Sequence, residues 1–227
     1  DGGSTWQSAG TSSNPIYVCI SDTGPNNVSL YRTVVHLACS NVGATNAAQA
    51  IANTCALFSG PANVKTWDGR ALHYYMGGTD FNANGYGSIT ALLTNSNATG
   101  QCSTWALLMA GALMVNGVTA TYVQVKANSY PAFLVKNWTY NTSTNPNPGI
   151  WNFVFDNSIS DMVPVPTGGN YGDLTNQSTI DGQNSTPPSE KVFNNHQFIK
   201  YASTFYDPSY GVTYTDAGSF QSSAIDG

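Results

Sequence analysis

A cysteine at the start of a predicted helix is the first residue of this sequence with the right chemistry for a nucleophile. Cys102 follows Gly100-Gln101, and the apolar residues after it recur at the spacing of a buried helix face. The free amides and the positive dipole end at a helix amino terminus stabilise a thiolate, which is the nucleophilic form of cysteine. The position suits covalent catalysis, although buried cysteines are also common as small core residues.

A histidine and an aspartate near the carboxyl end supply a candidate base and a carboxylate to orient it. His196 lies in a strand predicted over Val192–Tyr201, and Asp207 ends a second strand predicted over Thr204–Asp207. A turn centred near Ala202-Ser203 puts Asp207 diagonal to His196, and a turn shifted by one residue puts the two directly opposite. Both registers bring the side chains together on one face. The pair therefore fits the base and orienting acid of a triad, the alternative being a core histidine satisfied by an acid.

The segments around these three residues resemble those of transglutaminase-like proteins, especially bacterial and archaeal members. Gly100–Leu108 is similar to the Gly-x-Cys-x-x-Trp/Phe-Ala segment around the nucleophile of that superfamily. Asn195–Phe198 is similar to its Asn-His-x-Trp/Phe strand, and Phe205–Gly211 to the aromatic-Asp-Pro-Ser-aromatic-Gly segment around its aspartate. The order Cys, His, Asp is also that of papain-like thiol enzymes. The likeness covers about residues 100–135 and 192–211 and none of the first hundred residues.

The constellation predicts a cysteine hydrolase or acyltransferase that acts on protein or peptide amides. The Cys102 thiolate would attack a carboxamide carbonyl, and His196, oriented by Asp207, would protonate the leaving amine. Water or an amine would then resolve the thioester. The backbone N–H of Cys102 is the expected oxyanion donor, with Gln101 and Trp67 as candidates for a second. The expected fold is α+β with a papain-like, transglutaminase-like core, in which the nucleophile-bearing helix packs on an antiparallel sheet.

Other residues with catalytic or metal-binding chemistry form weaker patterns. Asp156 ends a predicted strand and is the rival to Asp207, but it lacks the hairpin geometry. His36 and His73 lie amid apolar or aromatic residues, which is typical of structural histidines. His36-x-x-Cys39 has no matching second pair, so we expect no metal, and nothing indicates a cofactor. The many tyrosines and tryptophans fit a sugar-stacking surface, but they fit a core equally well.

The composition favours an extracellular location and argues against two classes of partner. Only 8% of the 227 residues are charged, against about a quarter in typical proteins. A net charge of −5 with seven scattered Lys and Arg residues argues against nucleic-acid binding. The longest apolar stretches, such as Trp105–Val115, are too short to span a membrane. We therefore expect a secreted or cell-surface protein whose partner is a protein or peptide substrate.

The chain is expected to form a single domain, 1–227, with an amino-terminal extension over 1–44 and a Gly/Asn/Ser/Thr-rich surface insertion over about 158–190. The extension contains two predicted strands, Ile16–Ile20 and Val28–Cys39. The stretch Trp67–Tyr75 fits helix and strand equally well, and Gly77–Gly100 is predicted to be mostly loop. Hydrophobic periodicity predicts two helices and three strands before the insertion: Asn46–Phe58, Cys102–Val115, Val118–Lys126, Ala132–Trp138 and Ile150–Phe155.

The sequence does not decide how the remaining cysteines pair, and it leaves two rival functions. If Cys102 is the reactive thiol, Cys19, Cys39 and Cys55 allow one disulfide and one free thiol, and the sequence does not select the pair. The first rival function is an inactive extracellular binding or surface-display domain on the same fold. The second has Cys102 consumed in a disulfide or in a covalent bond to a partner.

Overall fold

Five helices are formed by the described residues of the chain. The computed structural model describes residues 10–19, 31–40, 43–59, 64–74, 89–94, 99–127, 150–155, 158–164 and 195–224. The helices are α1 (Arg32–Cys39), α2 (Ala47–Phe58), α3 (Ile89–Thr94), α4 (Cys102–Val115) and α5 (Ala217–Ala224).

An antiparallel sheet packs against helix α4, chiefly through its strand β6. Its order is β5-β4-β3-β6-β7-β8, and the strands are β3 (Thr121–Ala127), β4 (Ile150–Phe155), β5 (Ser158–Pro164), β6 (Asn195–Tyr201), β7 (Thr204–Asp207) and β8 (Val212–Tyr214). A separate parallel pair joins β1 (His73–Tyr74) to β2 (Thr99–Gly100), immediately before α4. The predicted α+β class, with the cysteine-bearing helix on an antiparallel sheet, is confirmed.

Helix α4 is buried on most of its circumference. The predicted apolar face is buried, but so are residues outside it such as Thr104 and Ala106. The reason is that α1, α2 and α3 all contact α4 on the sides that the sheet leaves open. The helix ends at the predicted Asn116-Gly117, where Gly117 has a φ of 74°, a conformation that glycine adopts without strain.

The prediction of two strands in the amino-terminal extension was wrong. Residues 16–19 form no regular structure, and Arg32–Cys39 is a helix. Its β-branched residues favour a strand locally, but Thr33, Val34, Leu37 and Ala38 share one helical face, which is buried. Burial of that face against α4 outweighs the weak local preference.

Helix α2 was predicted within one residue, and its amino end is capped because Asn46 Oδ1 accepts a hydrogen bond from Gln49 N at 3.0 Å. Its buried residues are Ala50, Ile51, Thr54 and Phe58. Helix α3 and strand β2 lie inside the stretch that was predicted to be mostly loop. Strand β5 occupies the start of the predicted insertion, because it pairs with β4. The predicted strand over Ala132–Trp138 lies outside the described residues.

Close packing fixes α1 on α4. A Cβ built on Gly111 of α4 would lie 3.3 Å from Val34 Cγ1 of α1. At the end of α4, Asn116 Nδ2 donates a hydrogen bond to Ala38 O at 2.9 Å, and both residues are buried. The absence of a side chain at Gly111 therefore lets the two helix backbones approach closely.

We predict that Gly111→Leu lowers the free energy of unfolding by about 1–3 kcal/mol, because the added side chain overpacks the contact with Val34. Urea unfolding measures the change. Met114→Leu is the control, because Met114 is 39% exposed on the same helix and its substitution should change stability by less than about 0.5 kcal/mol. Equal effects of the two substitutions would contradict the close approach of α1 and α4 at Gly111.

Candidate active site

The hairpin formed by β6 and β7 brings His196 and Asp207 together. His196 Nε2 lies 2.7 Å from Asp207 Oδ2, and both side chains are 0% exposed. Tyr201 pairs with Thr204 across a turn at Ala202-Ser203, which is the first of the two predicted registers. Continued along the strands, this register places Asp207 opposite Phe198 and so diagonal to His196. Ala202 has the positive φ, 52°, that such a tight hairpin turn requires.

The chain just after β7 holds Asp207 in place. Its second carboxylate oxygen, Oδ1, accepts a hydrogen bond from Ser209 N at 3.1 Å. Both oxygens of the buried carboxylate are therefore bonded, one to the imidazole and one to the backbone. A carboxylate fixed in this way holds the imidazole ring in one orientation and stabilises its protonated form.

Cys102 lies at the amino end of α4 and is 5% exposed. Gln101 is the N-cap residue, and its side chain makes no capping hydrogen bond. The preceding Gly100 pairs with Tyr74 of β1, and Trp105 Nε1 donates a hydrogen bond to His73 O at 3.3 Å. The start of α4 is thus anchored to the β1–β2 pair on one side and to the sheet on the other.

Burial, Asp207 and Cys102 together determine the pKa of His196. Burial alone would lower the pKa of the ring, but the charge and the hydrogen bond of Asp207 raise it, and a hydrogen bond and the charge of Cys102 raise it further. The resulting pKa is about 10. Since Nε2 is bonded to Asp207, Nδ1 is the nitrogen left to act toward Cys102. Cys102 therefore lies close enough to the imidazole to influence its protonation.

Aromatic side chains surround the imidazole. The rings of Phe198 and Tyr210 lie 5.7 and 5.8 Å from that of His196, centroid to centroid. Tyr74 packs edge-to-face on Tyr210 at 5.3 Å. Neither Tyr74 nor Tyr210 was among the predicted site residues. The aromatic position of the Asp-Pro-Ser-aromatic-Gly segment was an available signal for Tyr210, whereas no local pattern indicated Tyr74.

A second polar pair lies on the neighbouring strands. The hydroxyl of Tyr122 in β3 donates a hydrogen bond to Gln197 Oε1 of β6. Burial, followed by the charge of Cys102, raises the pKa of the Tyr122 hydroxyl, so the thiol influences this pair as well. Tyr122 and Gln197 were not among the predicted site residues.

The other candidate residues lie elsewhere or are not described. Trp67 is 43% exposed, and the Arg32 guanidinium stacks 3.4 Å from its ring centroid. None of the contacts that the structure describes for Trp67 includes a triad residue. His36 packs against Tyr17, and Asp156 lies outside the described residues.

Two further findings apply to the described part of the chain alone. No group of three or more His, Cys, Asp or Glu side chains is close enough there to hold a metal ion. No helix there has the length and apolar character to cross a bilayer.

No protein-family model, curated protein or solved structure significantly matches this chain. Function is therefore inferred from the site and from the sequence around it.

We predict a pH dependence of stability that comes from His196. Its pKa is about 10 in the folded chain, against 6.5 when unperturbed, so the folded state binds more protons than the unfolded state between these values. The stabilisation is complete below about pH 6.5 and is lost as pH rises through about 10. Urea unfolding at a series of pH values should show this decline, and Asp207→Asn should flatten it. If the stability of the wild type and of Asp207→Asn fell in parallel as pH rose, His196 would not be the source of the decline.

Proposed function

We propose that this chain is a thiol-dependent amide hydrolase or acyltransferase that works through a thioester on Cys102. The observation that supports this most directly is the buried His196–Asp207 pair, whose imidazole pKa responds to Cys102 at the tip of α4. Within this class, the three segments quoted above favour a member of the transglutaminase-like superfamily. The low charge content favours an extracellular location.

The burial of the pair argues for a chemical role. Removing an imidazolium and a carboxylate from water costs several kcal/mol per ion, and apolar residues of similar volume often stabilise a core as well or better. Burying both groups at 0% exposure therefore lowers the stability of the sheet, and a purely structural core has no need of such a pair. An imidazole kept in one orientation beside a thiol supplies a catalytic advantage that offsets this cost.

The proposed reaction uses the thiol as nucleophile and the imidazolium as acid. The raised pKa of His196 keeps the ring protonated at neutral pH, so the ring acts as the acid while Cys102 acts as the nucleophile. Sulfur attacks the carbonyl carbon of an amide, and the electron pair moves onto the carbonyl oxygen. When the carbon–nitrogen bond breaks, His196 gives its Nδ1 proton to the leaving nitrogen, and a thioester remains on Cys102.

Release of the acyl group reverses the role of the imidazole. Neutral His196 removes a proton from an attacking water or amine, which adds to the thioester carbonyl, and the sulfur leaves as thiolate. Water yields a carboxylic acid, and an amine yields a new amide. Asp207 remains hydrogen-bonded to the ring throughout and stabilises the imidazolium that reappears.

The oxyanion of each tetrahedral intermediate needs fixed hydrogen-bond donors. The backbone N–H of Cys102 belongs to the first turn of α4, where backbone donors have no partner within the helix. Gln101 directly precedes it, and its side chain is not used as a cap. The stacking of Trp67 on Arg32 at the surface favours Gln101 over Trp67 as the second donor.

An inactive binding or surface-display domain is the second candidate. The observation in its favour is that Cys102 is only 5% exposed, which restricts the access of a bulky substrate to the sulfur. The two functions differ in whether the thiol reacts.

We predict that iodoacetamide alkylates Cys102 faster than Cys55 at neutral pH, because Cys102 lies beside His196 at the amino end of α4. Cys55 provides the internal contrast: burial raises its pKa to about 12, so its alkylation requires alkaline solution. Mass spectrometry of peptides locates the label, and Cys55→Ser should leave the reaction of Cys102 unchanged. A Cys102 thiol that reacts only together with Cys55 would favour the binding domain.

We predict that His196→Gln and Asp207→Asn lower kcat on glutamine-containing peptides by a factor of about 10²–10⁴, because each removes acid–base catalysis. Released ammonia and incorporated amine are measured separately. Ammonia alone indicates hydrolysis, and incorporation indicates transamidation.

The matched controls are His36→Gln and Asp68→Asn, which change the same residue types away from the site and should retain activity. Cys102→Ala should abolish it. Equal activity in the triad variants and the controls would contradict the proposed function.

A further inference from the structure

Two thiols outside the candidate active site lie in contact. Cys19, at the end of segment 10–19, has its Sγ 3.4 Å from Sγ of Cys39, the last residue of α1. Both residues are half-buried, and 20 positions separate them in the chain. The composition alone allowed one bridge among three cysteines, and the geometry selects this pair.

We propose that Cys19 and Cys39 are a dithiol–disulfide site whose oxidation fastens segment 10–19 to α1. The reaction forms one sulfur–sulfur bond and releases two protons and two electrons. A small-molecule disulfide such as oxidised glutathione accepts the electrons and is reduced to two thiols. The site is separate from the proposed catalytic thiol and does not depend on the proposed function.

The contact between the two sulfurs allows the exchange to proceed in two steps. Burial, followed by the hydrogen bond and the charge of Cys19, raises the pKa of the Cys39 thiol to about 12. One of the two sulfurs attacks the oxidant, loses its proton and forms a mixed disulfide, which releases the first small-molecule thiol. The other sulfur then displaces the second small-molecule thiol and gives up its proton as the internal bond forms. Cys55 is excluded, because its described contacts place it against β7 and the residues after it.

Segment 10–19 forms one wall of a cavity, so oxidation that fastens the segment to α1 also fixes this wall. A cavity of about 320 Å³ lies between segment 10–19, α1 and the turn at Trp67. Pro15, Ile16 and Tyr17 form the segment's side of it. Ile16 and Val18 are 88% and 79% exposed, so apolar burial contributes little to holding the segment down. The edge-to-face packing of Tyr17 on His36 at 6.0 Å is a weak attachment compared with a covalent bond.

Thiol counting and peptide mapping on the full chain test the site directly. Denatured wild type should contain four reactive thiols after reduction and two after equilibration with oxidised glutathione, and the map should join Cys19 to Cys39. A bridge over 20 residues should raise Tm by about 5–10 °C, and Cys19→Ser should abolish the shift. Cys55→Ser is the matched control, and it should retain the full shift.

Limited proteolysis tests the attachment of the segment. Oxidation should slow chymotryptic cleavage after Tyr17 by at least about tenfold, because cleavage requires the segment to leave α1. Four thiols after oxidation, a bridge to Cys55 or Cys102, or an unchanged cleavage rate would each overturn the proposal. None of these readouts involves catalysis, so they remain decisive if the proposed function fails.

Discussion

The site depends on one buried bond, between His196 Nε2 and Asp207 Oδ2. Two ionisable groups at 0% exposure are tolerated only where their geometry is good and their remaining polar atoms find partners. The β6–β7 hairpin supplies the geometry through its two-residue turn at Ala202-Ser203. The backbone after β7 supplies the partner for the second carboxylate oxygen through Ser209 N. Either two-residue turn keeps both groups on one face, whereas sliding β7 by one residue along β6, with a loop one residue longer or shorter, would move one group to the opposite face and leave a buried charge unpaired.

Helix α4 provides the other half of the site. Its amino end has to reach the imidazole, so the helix is held along its length by the sheet and by the neighbouring helices. The close approach at Gly111 and the bond from Asn116 to Ala38 O hold α1 against its later turns, and Trp105 ties its first turn to β1. The position of Cys102 is therefore a consequence of the packing of the whole helix. A helix end fixed in this way suits the proposed role of Cys102, which requires the sulfur to remain close to one ring nitrogen.

The sequence predicted the elements whose information is local. Helix α4 was predicted residue for residue, because its apolar period is regular and Asn116-Gly117 marks its end. The hairpin was limited to two registers because both strands were clear, and only the turn geometry at Ala202 decided between them. Helix α1 and strand β5 were missed, because burial on α4 and pairing with β4 are contacts distant in sequence. Tyr74 and Tyr122 approach the site through such contacts too.

Nitrogen NMR of the imidazole rings is the most direct test, since the chain has only three histidines. Spectra of the wild type and Cys102→Ala at neutral pH should show Nε2 of His196 protonated and bonded to Asp207 in both proteins. The Nδ1 resonance should move toward that of a neutral ring nitrogen when the thiol is removed, because the partner that stabilises its proton is lost. A Nδ1 resonance that does not change between the two proteins would show that the imidazole and the sulfur do not interact, and would contradict the proposed catalytic site.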